Sequence, residues 1–299
     1  MTEDLSIKYM RKDTPDEYGI KELQDVLLEI MVYIDSFCNK HGVDYCLMAG
    51  SALGARRHEG FIPWDDDIDI YMTEDDYDKF RNAFQEDGDK EHFYLQEWGK
   101  TEYKGKHMVT MAKIRMNGTA LNEVALKGMK IHQGVFVDIF ILHKCADRPA
   151  DQKKQYFWTE AVVLKGLQKR GYKPKGFKDR VLLTASKRIP TKWMLKHGLY
   201  NAYKYQDADT NTYHGFVDTR KFSRAVFSKD VMFPTKYVDF ETIRLKVPGG
   251  LDKYLEIQFG SDYMTPPPVE KRPINKHTVG WSRHAASSEN DYSDESVLI

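Results

Sequence analysis

Four aspartates fall in five positions between Trp64 and Ile70, and they run straight into an apolar tail: WDDDIDIYM. Asp is depleted in strand interiors, so few folds accept such a segment. Alternation along a strand gives it a solution. Asp67 and Asp69 point to one face while Ile68 and Ile70 point to the other, where a core can take them. The two carboxylates then converge, and like charges this close repel or take up a proton. A divalent cation removes the conflict, and hard oxygen ligands suit magnesium or manganese. A solvated acidic turn is the plainer reading, but Trp64, Ile68, Ile70 and Tyr71 make a poor surface loop. A calcium EF-hand fails, because its sixth position needs Gly and a loop starting at Asp65 places Ile70 there. Asp65 lies on the Asp67 side if the strand begins early, and Asp66 is expected to point away.

The flanking segments supply a frame. Residues 18–40 space Leu23, Val26, Leu27, Ile30, Met31, Ile34 and Phe37 at steps of three and four, which predicts an amphipathic helix. DYCLMAG reads as a short strand ending at Gly50, and SALGARRHEG as a helical turn. Gly50 and Ser51 would then offer backbone N–H groups and a hydroxyl to an anion. After DIDIYM, Thr73 and Asp76 form a capping pattern for a helix over EDDYDKFRNAF. FYLQEW and HMVTMAKIRM read as strands, with a turn at Asn117–Gly118. GVFVDIFIL (134–142) reads as a central strand whose one charge is Asp138. A lone buried Asp needs a partner. A metal is one candidate, and the backbone or a Lys or Arg is the other. Lys113 and Arg115 share one strand face, available either to a diphosphate or to solvent.

The second half differs. Residues 151–200 carry 13 Lys or Arg against three acidic residues, in helical patterns broken at Gly171, Pro174 and Gly176. LDKYLEIQFG reads as a helix closed by Gly260, and MTPPPVEKRP is too rich in proline for regular structure. The expected organisation is an α+β catalytic core at 1–146, a basic helical insertion at 147–212, a C-terminal part at 213–280 that completes the core, and a flexible acidic tail at 281–299. The 45 basic and 45 acidic residues balance, so net charge names no partner. Three cysteines without metal spacing fit a reducing cytoplasm. The N-terminus lacks a signal-peptide core, and no apolar run is long enough to span a membrane. No nucleic-acid motif accompanies the basic stretch. Lys169, Arg170, Lys173 and Lys175 are available to anionic lipid, so peripheral contact with a membrane is one expectation; a solvated helix face is the alternative.

A Gly-Ser turn followed by an Asp-apolar-Asp strand resembles the nucleotidyltransferase fold, the superfamily of DNA polymerase beta, with a mixed sheet. More specifically, GSALGARRHEGFIPWDDDIDIYM, GVFVDIFIL and YLEIQFGSDYMTPPPVEKR resemble the signature blocks of the LicD family, with fukutin-related proteins as distant relatives. The resemblance covers about 40–146 and 230–277. It implies magnesium- or manganese-dependent transfer of phosphocholine, or a related phosphoalcohol, from CDP-choline or another CDP-alcohol to a sugar hydroxyl of a glycan or glycolipid, releasing CMP. It also implies that Asp67, Asp69 and Asp138 are catalytic metal ligands and that Gly50 and Ser51, with Lys113 and Arg115, bind the donor's phosphates. Asp138 would take the sugar's proton. Trp64 is the aromatic residue nearest the motif for a choline cage, with packing under the strand as its other reading. His58, His132 and His277 read as structural. The competing functions are a nucleotidyltransferase releasing pyrophosphate and a non-catalytic polyanion binder.

Overall fold

The computed structural model describes residue 12 and residues 15–123, 130–170, 172, 176–217, 221–272 and 278–284. Helix α1 (Lys21–His41) follows the predicted stripe: Leu23, Val26, Leu27, Ile30, Met31, Ile34 and Phe37 are all buried. It ends where Gly42 turns left-handed at φ 62° and donates its N–H to Cys38 O. The strand read in DYCLMAG shrinks to β1 (Cys46–Leu47), because α2 (Ala49–His58) already begins at Ala49. Gly50 and Ser51 therefore stand in a helix's first turn and not at a strand end. Next come β2 (Asp69–Thr73) and α3 (Glu74–Asp87), whose N-cap Thr73 accepts the Asp76 N–H as expected. β3 (Phe93–Trp98) matches FYLQEW. HMVTMAKIRM breaks in two. β5 (Lys106–Met108) pairs with β4 (Thr101–Tyr103), and β6 (Met111–Met116) joins the main sheet.

After β7 (Ala120–Glu123) the chain forms β8 (Phe136–Cys145). Order β1-β2-β8-β6-β3 makes β8 central, and β2 and β8 run parallel while the other pairs are antiparallel. β9 (Thr212–His214) extends β8's second edge beyond β6, and β10 (Val226–Ser228) pairs with β9. Helices α1 and α3 touch each other and pack across this sheet. The architecture is mixed α+β.

The basic segment forms α4 (Pro149–Lys169), α5 (Phe177–Ser186) and α6 (Thr191–Ala202). Its inner face joins the one large core through Val162, Met194, Leu195 and Leu199. Close packing of α6 on α4 depends on Gly198, where a Cβ would lie 2.2 Å from Val162. Tyr203 then bonds both the N–H and the carbonyl of Val109. The C-terminal part supplies α7 (Lys229–Met232), the β11–β12 hairpin (Lys236–Phe240, Ile243–Val247) and α8 (Leu251–Phe259), which stops at Gly260. The proline-rich run holds only a 3-10 turn at Val269–Lys271. β13 (Thr278–Ser282) then pairs with β7, so ordered pairing continues past the boundary expected at 280. Residues 285–299, His277, Lys173 and Lys175 lie outside the described residues.

Candidate active site

The loop from Glu59 to Ile68 carries the acidic segment, and three distant elements hold it. Gln24 of α1 donates its side-chain N–H groups to the carbonyls of Ile62 (3.3 Å) and Asp65 (2.7 Å). Glu241, in the β11–β12 turn, accepts the Phe61 N–H at 2.9 Å. Gly54 of α2 lets the loop pass, since a Cβ there would come within 2.5 Å of Gly60 O. Ser51 is buried, and its hydroxyl accepts the Asp69 N–H at 2.9 Å, tying the first turn of α2 to the first residue of β2. Ala49 enters that turn at φ 41°, a left-handed conformation uncommon for a residue with a Cβ.

Carboxylate oxygens of Asp65, Asp66 and Asp67 lie within 4.8 Å of one another. Asp66 is buried, while Asp65 and Asp67 are partly exposed. The expectation that Asp66 points away is corrected here: the segment is not yet a strand, so strict alternation does not apply until Asp69. Asp65 also reaches α2, where a Cβ on Gly50 would sit 2.8 Å from its Oδ2. Three convergent carboxylates are a hard-oxygen donor set that suits a magnesium-like cation.

The other expected residues form a lateral row across the sheet: Asp69 on β2 pairs in register with Asp138 on β8, Asp138 with Lys113 on β6, and Lys113 with Gln96 on β3. Lys113 Nζ lies 2.8 Å from Asp138 and 3.1 Å from Glu123 Oε1, over the Phe136 ring. Burial pushes the Asp138 carboxyl up, and Lys113 opposes that shift. Arg115 donates to Gln96 Oε1 (2.8 Å), Gly134 O (2.7 Å) and Glu123 Oε2 (2.9 Å). Burial would raise Glu123, but Lys113 and Arg115 outweigh it and hold the carboxyl below its ordinary range. Lys113 and Arg115 do share a face, yet they are 4% and 0% exposed. Their placement answers internal carboxylates and presents no open phosphate-binding surface.

Two arginines not singled out in the sequence stand beside the acidic loop. Arg272, from the end of the proline-rich run, stacks 4.3 Å from the centre of Trp64 and donates to Tyr18 Oη at 2.7 Å. Arg57 of α2 donates to Tyr263 O at 2.9 Å. Burial and the nearby Arg272 lower Arg57, and Asp65 partly restores it. Among the described residues neither has a carboxylate within ion-pair distance. His58 is pushed down to about 4 by burial and by these two cations. Trp64 is buried, edge-on to Tyr18 and His58 and covered by Arg272, so it packs beneath the loop. His132 is likewise structural, bonding Asn117 and accepting the Gly134 N–H.

Residues 42–144, which span β1 to β8, match the family described as LicD/FKTN/FKRP, nucleotidyltransferase domain. The lipopolysaccharide cholinephosphotransferase LicD of Haemophilus influenzae is 30% identical over 257 residues, covering 84% of this chain and 93% of that protein. Uncharacterized proteins of Rickettsia typhi and Rickettsia prowazekii share 37% and 38% identity over shorter stretches, 20% and 17% of this chain. Identity sustained across nearly the whole of the Haemophilus protein carries the conclusion that the chain belongs to the LicD family.

Proposed function

We propose that this protein is a metal-dependent phosphotransferase of nucleotidyltransferase fold that moves phosphocholine from CDP-choline to a sugar hydroxyl of a cell-surface glycan or glycolipid precursor. The observation that carries the reading is the convergence of Asp65, Asp66 and Asp67 beside Arg57 and Arg272, which among the described residues have no carboxylate within ion-pair distance, in a chain similar to a cholinephosphotransferase. In this reading Asp65, Asp66 and Asp67 hold magnesium or manganese, and Asp69 adjoins them on the first residue of β2. The ion supplies charge neutralisation between protein carboxylates and donor phosphates. Arg57 and Arg272 bind those phosphates, with the first-turn amides of α2 at Gly50 and Ser51 beside them. Asp138, its carboxyl raised by burial, accepts the proton of the attacking hydroxyl. Lys113 and Arg115 orient the carboxylates of the row. The hydroxyl oxygen bonds to the phosphorus that carries choline, the bond to the bridging oxygen breaks, and CMP leaves.

Incubation with a panel of CDP-alcohols, magnesium and a lipopolysaccharide-derived acceptor tests this. The expected result is CMP release with phosphocholine on the acceptor. Release of pyrophosphate from a nucleoside triphosphate, with no CMP from any CDP-alcohol, would overturn the reading in favour of nucleotidyl transfer.

A further inference from the structure

Of the nine large apolar side chains that stand exposed among the described residues, seven lie between 157 and 200, on or between α4, α5 and α6. Phe177 is 82% exposed, Phe157 65%, Val181 50% and Trp193 46%. Part of this surface is continuous. Phe157 lies 5.8 Å from Trp158, Trp158 lies 6.2 Å from Trp193 across the α4–α6 seam, and the His197 ring lies 4.6 Å from Trp193, tilted against it. Exposed cations follow the same helix faces. Lys153 and Lys154 precede Phe157 by one turn, and Lys192 and Lys196 flank Trp193. α5 packs on α4 and adds Phe177, Val181 and Leu182, followed by exposed Lys187 and Arg188. The opposite faces of α4 and α6 are spent on the core.

We infer that the outer face of the α4–α6 insertion docks on an anionic lipid surface, with Phe157, Phe177 and Trp193 entering the headgroup boundary and the surrounding lysines and arginines facing lipid phosphates. The chemistry separates this occupant from others. Exposed Trp and Phe interleaved with Lys and Arg is the composition of interfacial helices. The core of a protein–protein interface is instead poor in Lys. A polyanion alone would leave aliphatic Val181 and Leu182 without a role, because backbone binding of nucleic acid uses charge and stacking rings. The 13-to-3 excess of basic over acidic residues at 151–200 complements an acidic surface. No helix among the described residues is long and apolar enough to cross a membrane.

The test is cosedimentation of the full chain with sucrose-loaded vesicles of phosphatidylcholine alone or with about a third phosphatidylglycerol, without donor or acceptor, so that it reads independently of catalysis. Partition onto the anionic vesicles is expected to exceed that onto neutral ones at least tenfold and to fall with salt. Replacing Lys153, Lys154 and Lys192 with Gln should weaken it roughly a hundredfold, at about 1 kcal/mol per cation. Phe157→Ser with Phe177→Ser should weaken it by about tenfold or more, and brominated lipid should quench Trp193 fluorescence in the parent. Both aromatic side chains are mostly exposed, so circular dichroism should be unchanged. Three results would overturn the inference: equal, weak partition onto both vesicle types; salt-sensitive binding indifferent to the Phe changes, which is charge contact without insertion; or concentration-dependent self-association abolished by the same Phe changes, which makes this face a contact between copies.

Discussion

Replacing Lys113 with Met removes one charge from the centre of the sheet while keeping the aliphatic stem. The side chain is 4% exposed and stands between two carboxylates, Asp138 at 2.8 Å and Glu123 at 3.1 Å. Glu123 keeps Arg115 at 2.9 Å, so the uncompensated charge is Asp138. Breaking a buried pair from one side costs roughly 3–5 kcal/mol. Asp138 is already displaced upward by burial, and loss of Lys113 displaces it further. The folded variant then holds a proton that the unfolded chain, with an ordinary Asp, releases. Stability of such a group falls as pH rises from the unfolded value towards the folded one. The deficit of Lys113→Met should therefore shrink by about 1 kcal/mol or more between pH 8 and pH 5.5. Urea denaturation followed by circular dichroism at both pH values measures this. Asp138→Asn should rescue much of the loss in the double variant, since the orphaned charge is gone. A cost below about 1 kcal/mol at pH 8, or a deficit that ignores pH, would refute the assignment of Lys113 as the compensating cation of the row.

Asp65→Asn with Asp67→Asn should abolish CMP release and the magnesium-dependent rise in melting temperature, while leaving the apo protein as stable or slightly more so, because repulsion among the three carboxylates is relieved; a thermal shift with and without magnesium and CDP-choline measures it. Arg272→Ala should raise KM for CDP-choline about tenfold or more with a smaller effect on kcat, read from initial rates. His143 and His214 are buried, with burial pushing His143 down to about 3 and His214 well below the ordinary value. Both unfolded imidazoles bind a proton near pH 6.5 that the folded ones refuse, so each withdraws about 1.4 kcal/mol of stability per pH unit as pH falls below 6.5. Glu74, the partner of His143, is raised by burial and works the other way above its unfolded value; melting temperatures from pH 7 to 4.5 should still fall. Gly54→Ala should cost about 2 kcal/mol or more, because the added methyl meets the backbone of Gly60 and Ile62, and chemical denaturation reads the loss.

What the sequence made legible follows from periodicity. The stripe of α1, the apolar run of β8, the cap at Thr73 and the stop at Gly260 are local signals, and each element stands where its pattern predicts it. The break inside HMVTMAKIRM escaped, because Val109 and Thr110 suit a strand and only the tertiary pairing of Tyr203 with Val109 shows the interruption. At the site, the acidic segment was legible as a carboxylate cluster, but its membership was not. Strict alternation does not hold at Asp66, because the strand begins only at Asp69. The lone Asp138 needs a partner, and the sequence leaves a metal, the backbone, a Lys or an Arg open; register with β6 places Lys113 beside it. Arg57 and Arg272 lie inside two of the signature-like blocks, but nothing in their local sequence assigns either one a role at the acidic loop. They are 215 positions apart in sequence and meet only because the C-terminal part folds back over the acidic loop.

The glycine seam between α4 and α6 has a practical consequence for anyone who would treat the basic segment as a removable module. Val162 fills the space at Gly198, and Leu199 and Tyr203 on the following turn reach into the sheet's core and the Val109 backbone. Excising residues 149–203 would strip one wall from the core and leave Val109 without its Tyr203 bonds. Transplanting the helices to another protein would carry half a core with nothing to close it. Variation among relatives in this region should therefore fall on the outward positions, such as Phe157 and Lys192, while small residues at the seam and large ones beneath it change only together.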